Sequence, residues 1–182
     1  MSQWIDPPER AEQHLLISFV DLTRFSAQSR RLGDADIAAA VDEMYRRIGA
    51  AIAAAGGRVV KFIGDASLIV FAADQADGAV VALLALKEEL DGYLDQLGWE
   101  CRAAVKVHVG TAIAGPYGLA GTFDVLGNDV NTCASLHSPG VALTVEAFRA
   151  LGPELRRRFK KHTPPVCYIR SEDPRPFRYT AR

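Results

Sequence analysis

With 182 residues, 49% hydrophobic and 24% charged, the chain has room for one domain around a single core and lacks the bias of a disordered or fibrous protein. A formal net charge of −1 gives no general attraction for nucleic acid or an anionic membrane, and neither is expected as a partner. Three scattered cysteines, Cys101, Cys133 and Cys167, have no metal-ligand spacing and fit reduced thiols packed as small hydrophobes.

Residues 1–13, MSQWIDPPERAEQ, are polar and proline-bearing, unlike a signal peptide or a membrane span. They are read as an extension ahead of one domain over 14–182, with no membrane insertion and a cytoplasmic location. HLLISFV, residues 14–20, is a continuous apolar run that ends at Asp21, as a buried strand does. Ile37, Val41, Met44, Tyr45, Ile48 and Ile52 then recur at helical spacing behind a cap at Asp34 or Asp36, and Gly56-Gly57 ends the helix. RVVKFIGDASLIVF reads as two strands around a tight Gly64-Asp65 turn.

A second helix starts near Asp74, with Val80, Leu83, Leu84, Leu90, Leu94 and Leu97 as its apolar stripe. ECRAAVKVHVGTAI, residues 100–113, alternates as a long strand, and GPYGLAGT makes a glycine-rich loop. FDVLG is a short strand or turn, NDVNTCASLH opens a helix, VALTV is a strand, and EAFRALGPELRRRF is helical with a break at Pro153. The basic run Arg156 to Arg158 with Lys160 and Lys161 fits a solvated helix face, and the prolines of the tail fit edge strands or loops. The fold class is therefore mixed α/β (α+β), a ferredoxin-like βαββαβ core with a C-terminal appendix and helices on one face of a mostly antiparallel sheet.

In that order the first strand and the following hairpin are sheet neighbours, so Asp21 and Asp65 meet at one end of the sheet. Two carboxylates there suit Mg²⁺, which takes one or two carboxylates and completes its shell with phosphates and water. Leu22, Thr23, Arg24 and Phe25 follow Asp21, and the open amides of such a turn hold phosphate oxygens. Taken singly, Asp21 also fits a helix cap and Asp65 a plain turn residue. The four histidines show no metal spacing, and His108 reads as a packed or edge residue of a strand.

Four segments in register resemble the class III adenylyl and guanylyl cyclase catalytic domain: FVDLTRFS, GGRVVKFIGDASLIVF, VHVGTAIAGPYG and FDVLGNDVNTCASL. The resemblance runs from about residue 14 to 145, and the 44-residue separation of Asp21 and Asp65 fits it. It implies a nucleotidyl cyclase fold and a homodimer with two active sites between the copies. Each site would hold two Mg²⁺ or Mn²⁺ ions on Asp21 and Asp65 of one copy and take Lys61, Asp124 and Asn131 from the other. The implied substrate is a nucleoside triphosphate. Lys61 donates only and an ionised Asp124 accepts only, which complements adenine and points to ATP; guanine-selective members tend to carry glutamate and a small polar residue there.

Three positions depart from the pattern. Ser135 stands where the family places a transition-state arginine, one turn after Asn131. The tail, YIRSEDPRPFRY, lacks the family's Lys-Gly loop, leaving Arg170 or Arg175 as stand-ins, and Lys106 lies where the family often has glycine. These departures also admit a module that binds nucleotide or dimerises without turnover, or a cyclase for another triphosphate, including a pyrimidine.

Overall fold

The computed structural model describes residues 7, 9–163 and 165–172. In chain order the elements are β1 (Ala11–Leu22), α1 (Phe25–Ser29), α2 (Asp34–Ala54), β2 (Arg58–Ile63), β3 (Ala66–Ala72), α3 (Ala76–Gln96) and β4 (Ala103–Tyr117). They continue with β5 (Thr122–Leu126), α4 (Asn128–Ala134), β6 (Val141–Leu143), α5 (Val145–Ala150), α6 (Pro153–Arg156), β7 (Phe159–His162) and β8 (Cys167–Arg170). One sheet runs β2-β3-β1-β4-β6-β8-β7, with β5 paired to β4. The first four strands give the antiparallel order expected of a βαββαβ core, β4 and β6 are parallel, and the β7–β8 hairpin is the appendix, with β7 at the sheet edge.

The two sheet faces differ, and the period of two along β1 decides which side chain goes where. Leu16, Val20 and Leu22 point to the face covered by α2 and α3, where Met44, Ile48, Ile52, Val80, Leu83 and Leu90 close the main core. Leu15 and Ile17 point to the opposite face and join Leu68, Val70, Val125, Val130 and Cys133 in a second, smaller core beneath α4 and β5. Asp21 shares that second face by the same alternation. Lys87 and Asp91 lock α3 to the start of β4: Lys87 Nζ donates to Asp91 Oδ2 at 2.6 Å, and the Ala103 amide donates to Asp91 Oδ1 at 2.7 Å.

Several boundaries move from their expected places. β1 begins at Ala11, taking up the last three residues of the stretch set apart as an extension, because Ala11–Gln13 pair with Ala112–Ala114 of β4. Gly33, not an aspartate, caps α2; Asp34 and Asp36 occupy its first turn, where a carboxylate favours the helix dipole. Leu97 caps α3 with 39% exposure and stands outside the buried stripe. All three cysteines are free and buried. Among the described residues no helix is long and apolar enough to cross a membrane.

Candidate functional site

β1 carries Asp21 to its last turn of pleat, and the two-residue Gly64-Asp65 loop brings Asp65 beside it. Ile63 pairs with Ala66, so the loop is as short as a hairpin allows, and Gly64 takes the left-handed φ of 61° that such a loop requires. Two contacts from α2 brace it: the Tyr45 hydroxyl donates to the Gly64 carbonyl, and the Tyr45 ring stacks on Phe62 at 3.8 Å. In the sequence Tyr45 reads only as part of a helical stripe, and its brace on the turn comes from the structure.

Burial, and then the Asp21 carboxylate within hydrogen-bond reach, push the Asp65 carboxyl up from 3.8 to about 6, against the lowering effect of its own amide and that of Leu22. Two carboxylates facing each other this closely either share a proton or hold a cation. Among the described residues no cluster of three or more His, Cys, Asp or Glu side chains could hold a metal. The pair therefore fits a hard divalent ion that leaves most of its shell to phosphate and water, and does not resemble a closed, all-protein cage.

Asp21, Leu22, Thr23 and Arg24 form one wall of a cleft of about 630 Å³, with Ala104 and Lys106 on its floor and Leu136 to Pro139 opposite. The expectation of open amides along this wall fails for two residues. The Leu22 amide donates to Asp21 Oδ1 at 2.9 Å, and the Thr23 amide donates to the Arg102 carbonyl at 2.9 Å. The Thr23 hydroxyl is engaged as well, accepting from the Arg102 amide at 3.0 Å. The Leu22 side chain is buried in the main core, and the Phe25 ring packs on Trp99 with centroids 6.3 Å apart. Arg24 remains exposed on the wall, held at φ 60° and ψ 16°, the one non-glycine residue with positive φ among the described residues. A side chain in that region stores strain, and such strain concentrates at functional sites.

Lys61 and Asp124 meet although 63 residues separate them. The β4–β5 hairpin returns over the second face of the sheet, where Val125 and Phe123 pack with Leu68, Val70 and Val60. Phe123 also lies 3.6 Å beneath the Arg58 guanidinium. Lys61 Nζ donates to Asp124 Oδ2 at 2.7 Å, and the Val125 amide donates to Asp124 Oδ1 at 2.8 Å, which fixes the carboxylate plane. Lys61 and Asp124 do not line the cleft at Asp21.

Asn131 is exposed on α4 and also outside that cleft. Ser135 follows one turn later, its amide donating to the Asn131 carbonyl at 3.0 Å, and its hydroxyl is spent on the Thr132 carbonyl at 2.9 Å. α4 is anchored by Asp129, which accepts from the Thr111 amide at 2.7 Å and lies 3.4 Å from His108 Nε2. His108 is buried, the packed rather than the edge alternative, with Nδ1 2.9 Å from the Thr144 hydroxyl. Arg170 does not stand in for a tail lysine: it is tied to Glu88 of α3 at 2.8 Å and to Glu172 at 2.9 Å. Arg175 lies outside the described residues.

Residues 8–160 match the model of the adenylate and guanylate cyclase catalytic domain family. An adenylate cyclase of Glutamicibacter nicotianae is 35% identical over 131 residues, which cover 70% of this chain and 30% of that protein. An adenylate cyclase of Streptomyces coelicolor is 29% identical over 84% of this chain and 37% of its own length. The chain thus spans about a third of the length of the curated relatives it matches. In fold, the adenylyl cyclase CyaB from P. aeruginosa superposes with a TM-score of 0.78 at 15% identity, covering 93% of this chain and 99% of that one.

Proposed function

The chain belongs to the adenylate and guanylate cyclase catalytic domain family, and from that premise we propose that it closes ATP into 3′,5′-cyclic AMP with release of pyrophosphate, at sites shared by two copies. The observation that carries the reading is the facing pair Asp21 and Asp65: burial, and then the neighbouring Asp21 carboxylate, raises the Asp65 carboxyl to about 6, and a divalent cation at the pair would relieve that cost. Mg²⁺ or Mn²⁺ bound at this pair, two ions to a site, would supply charge neutralisation for the triphosphate and acidify the ribose 3′-hydroxyl. Asp21 and Asp65 orient that hydroxyl against the α-phosphorus. The 3′-oxygen bonds to phosphorus as the bond to the β-phosphate bridge breaks, and the hydroxyl proton leaves to water or pyrophosphate.

Base choice falls to Lys61 and Asp124. Paired with the Lys61 ammonium 2.7 Å away, Asp124 accepts from the adenine amino group, and Lys61 donates to a ring nitrogen. Asn131 orients the ribose. Lys61, Asp124 and Asn131 lie outside the cleft that Asp21 lines, and in this reading, as the family resemblance implies, a second copy supplies them, with a symmetric pair carrying two sites.

A second reading rests on Ser135, whose hydroxyl closes α4 and brings no charge to a phosphate. The same surfaces would then bind nucleotide without turning it over. Incubation with Mn²⁺ and each of ATP, GTP, CTP and UTP, followed by mass spectrometry of the products, separates the two. Cyclic AMP from ATP supports the cyclase; a different cyclic product keeps the mechanism and overturns the base assignment. Nucleotide binding without any cyclic product would favour the second reading.

A further inference from the structure

The floor of the cleft beside Asp21 carries a cation that the proposed chemistry has not used. Lys106 pairs with Phe19 across β1 and β4, one side-chain period from the Asp21–Ala104 pair, so it stands on the same face as Asp21 and lines the same cleft of about 630 Å³. Its Nζ donates to the Ala134 carbonyl at 3.2 Å, at the last residue of α4. That exposed bond occupies one of the three donors of the ammonium and leaves two others. Among the described residues no carboxylate lies within ion-pair distance of it. Lys106 and Arg24, the latter 3.8 Å from Glu100, both line a volume shared with Asp21, Leu136, His137, Ser138 and Pro139. A polyphosphate chelated at Asp21 would enter that volume.

We propose that Lys106 is a polyphosphate-binding residue acting within one copy, contacting a non-bridging oxygen of the triphosphate seated against Asp21. It supplies positive charge at a site to which the second copy's α4 would bring Ser135 and no charge. The inference rests on the cyclase reading for the identity of the ligand, but its chemistry requires only a metal-chelated polyphosphate. A structural role also exists for this lysine, as the partner of a helix-end carbonyl, and the experiment is chosen to exclude it.

The probe is Mn²⁺-pyrophosphate, which has neither base nor ribose, titrated calorimetrically into the wild-type chain and into Lys106→Met, Lys106→Arg and Lys161→Met. Lys161 is exposed on β7 and serves as a charge control. A lost charge-assisted phosphate contact predicts about tenfold to hundredfold weaker binding in Lys106→Met. Binding within about threefold of wild type is expected in Lys106→Arg, with Lys161→Met unchanged and the thermal midpoint of Lys106→Met within about 2 °C of wild type. Wild-type affinity in Lys106→Met, an equal loss in Lys161→Met, or no binding of the probe by the wild type would overturn the proposal. The two readings fail separately. Cyclic AMP production with pyrophosphate affinity indifferent to Lys106 removes this contact and keeps the cyclase. Lys106-dependent pyrophosphate binding without any cyclic nucleotide keeps the contact and removes the cyclase.

Discussion

Replacing Asp65 with asparagine removes one of two carboxylates that repel each other, so the metal-free variant should be more stable than the wild type while losing activity. In the folded protein the Asp65 carboxyl is carried from 3.8 to about 6, by burial first and by Asp21 second. A raised carboxyl favours folding only while it is protonated. Its contribution is complete below pH 4 and is lost as the pH rises through about 6, leaving the ionised pair as a cost at neutral pH. A displacement of that size corresponds to at most about 3 kcal/mol. Asp65 is partly exposed, so solvent screening reduces this to roughly 1–2 kcal/mol. Asparagine also donates to Asp21, where the ionised aspartate cannot. For a domain of this length the gain amounts to about 3–6 °C in thermal midpoint. The assay is thermal unfolding in EDTA from pH 4 to 8, repeated with millimolar Mn²⁺. The wild type should lose stability relative to Asp65→Asn between pH 4 and 6, and Mn²⁺ should raise the wild-type midpoint and leave the variant unmoved. A variant less stable than wild type at pH 7.5 in EDTA, or an identical pH profile in the two proteins, would refute the assignment.

Exchanging donor for acceptor at the base site should exchange the base: Lys61→Glu with Asp124→Ser is expected to shift the ratio of kcat/KM for GTP over ATP by about 100-fold or more, read from competing substrates in one tube. At Arg24 the left-handed backbone predicts that Arg24→Gly is more stable than Arg24→Ala by about 1 kcal/mol in urea titrations, because only glycine adopts that φ without strain. Both Arg24 variants should show the same raised KM for ATP. A Cβ on Gly110 would come within 2.1 Å of Asp129 Oδ2 and 2.7 Å of His108 Nε2. Gly110→Ala should therefore cost about 1–3 kcal/mol in the same titrations and lower kcat, since Asp129 anchors the helix that carries Asn131.

Much of this architecture is legible in local chemistry. The apolar run into Asp21 and the Gly-Asp turn fix a strand end and a hairpin tip, and the βαββ order makes them neighbours, which is why the carboxylate pair is foreseeable. The start of β1 at Ala11 is not, because Ala11 and Glu12 are exposed and their place in the sheet comes from β4 alone. Periodicity cannot show that the β4–β5 hairpin turns back over the sheet, so the ion pair between Lys61 and Asp124 is not legible in the spacing, and the family resemblance implies only that both residues read the base. Competition for the same groups explains the remaining differences. The amides of Leu22 and Thr23 are consumed by Asp21 and the Arg102 carbonyl, and Arg170 is claimed by Glu88. The sequence marks Lys106 only as a lysine where the family often has glycine; the register against Phe19 puts it on the floor of the cleft.

The central claim is that a cyclase site is assembled from Asp21 and Asp65 of one copy and Lys61, Asp124 and Asn131 of another. Its most direct test is the cyclic AMP formed on mixing Asp21→Ala protein with Lys61→Ala protein, each inactive alone. With random exchange, half of the dimers are hybrids, and each hybrid holds one site free of both changes. Recovery of about a quarter of wild-type activity is predicted. No recovery in a mixture whose hybrid dimers are confirmed by native mass spectrometry would contradict it.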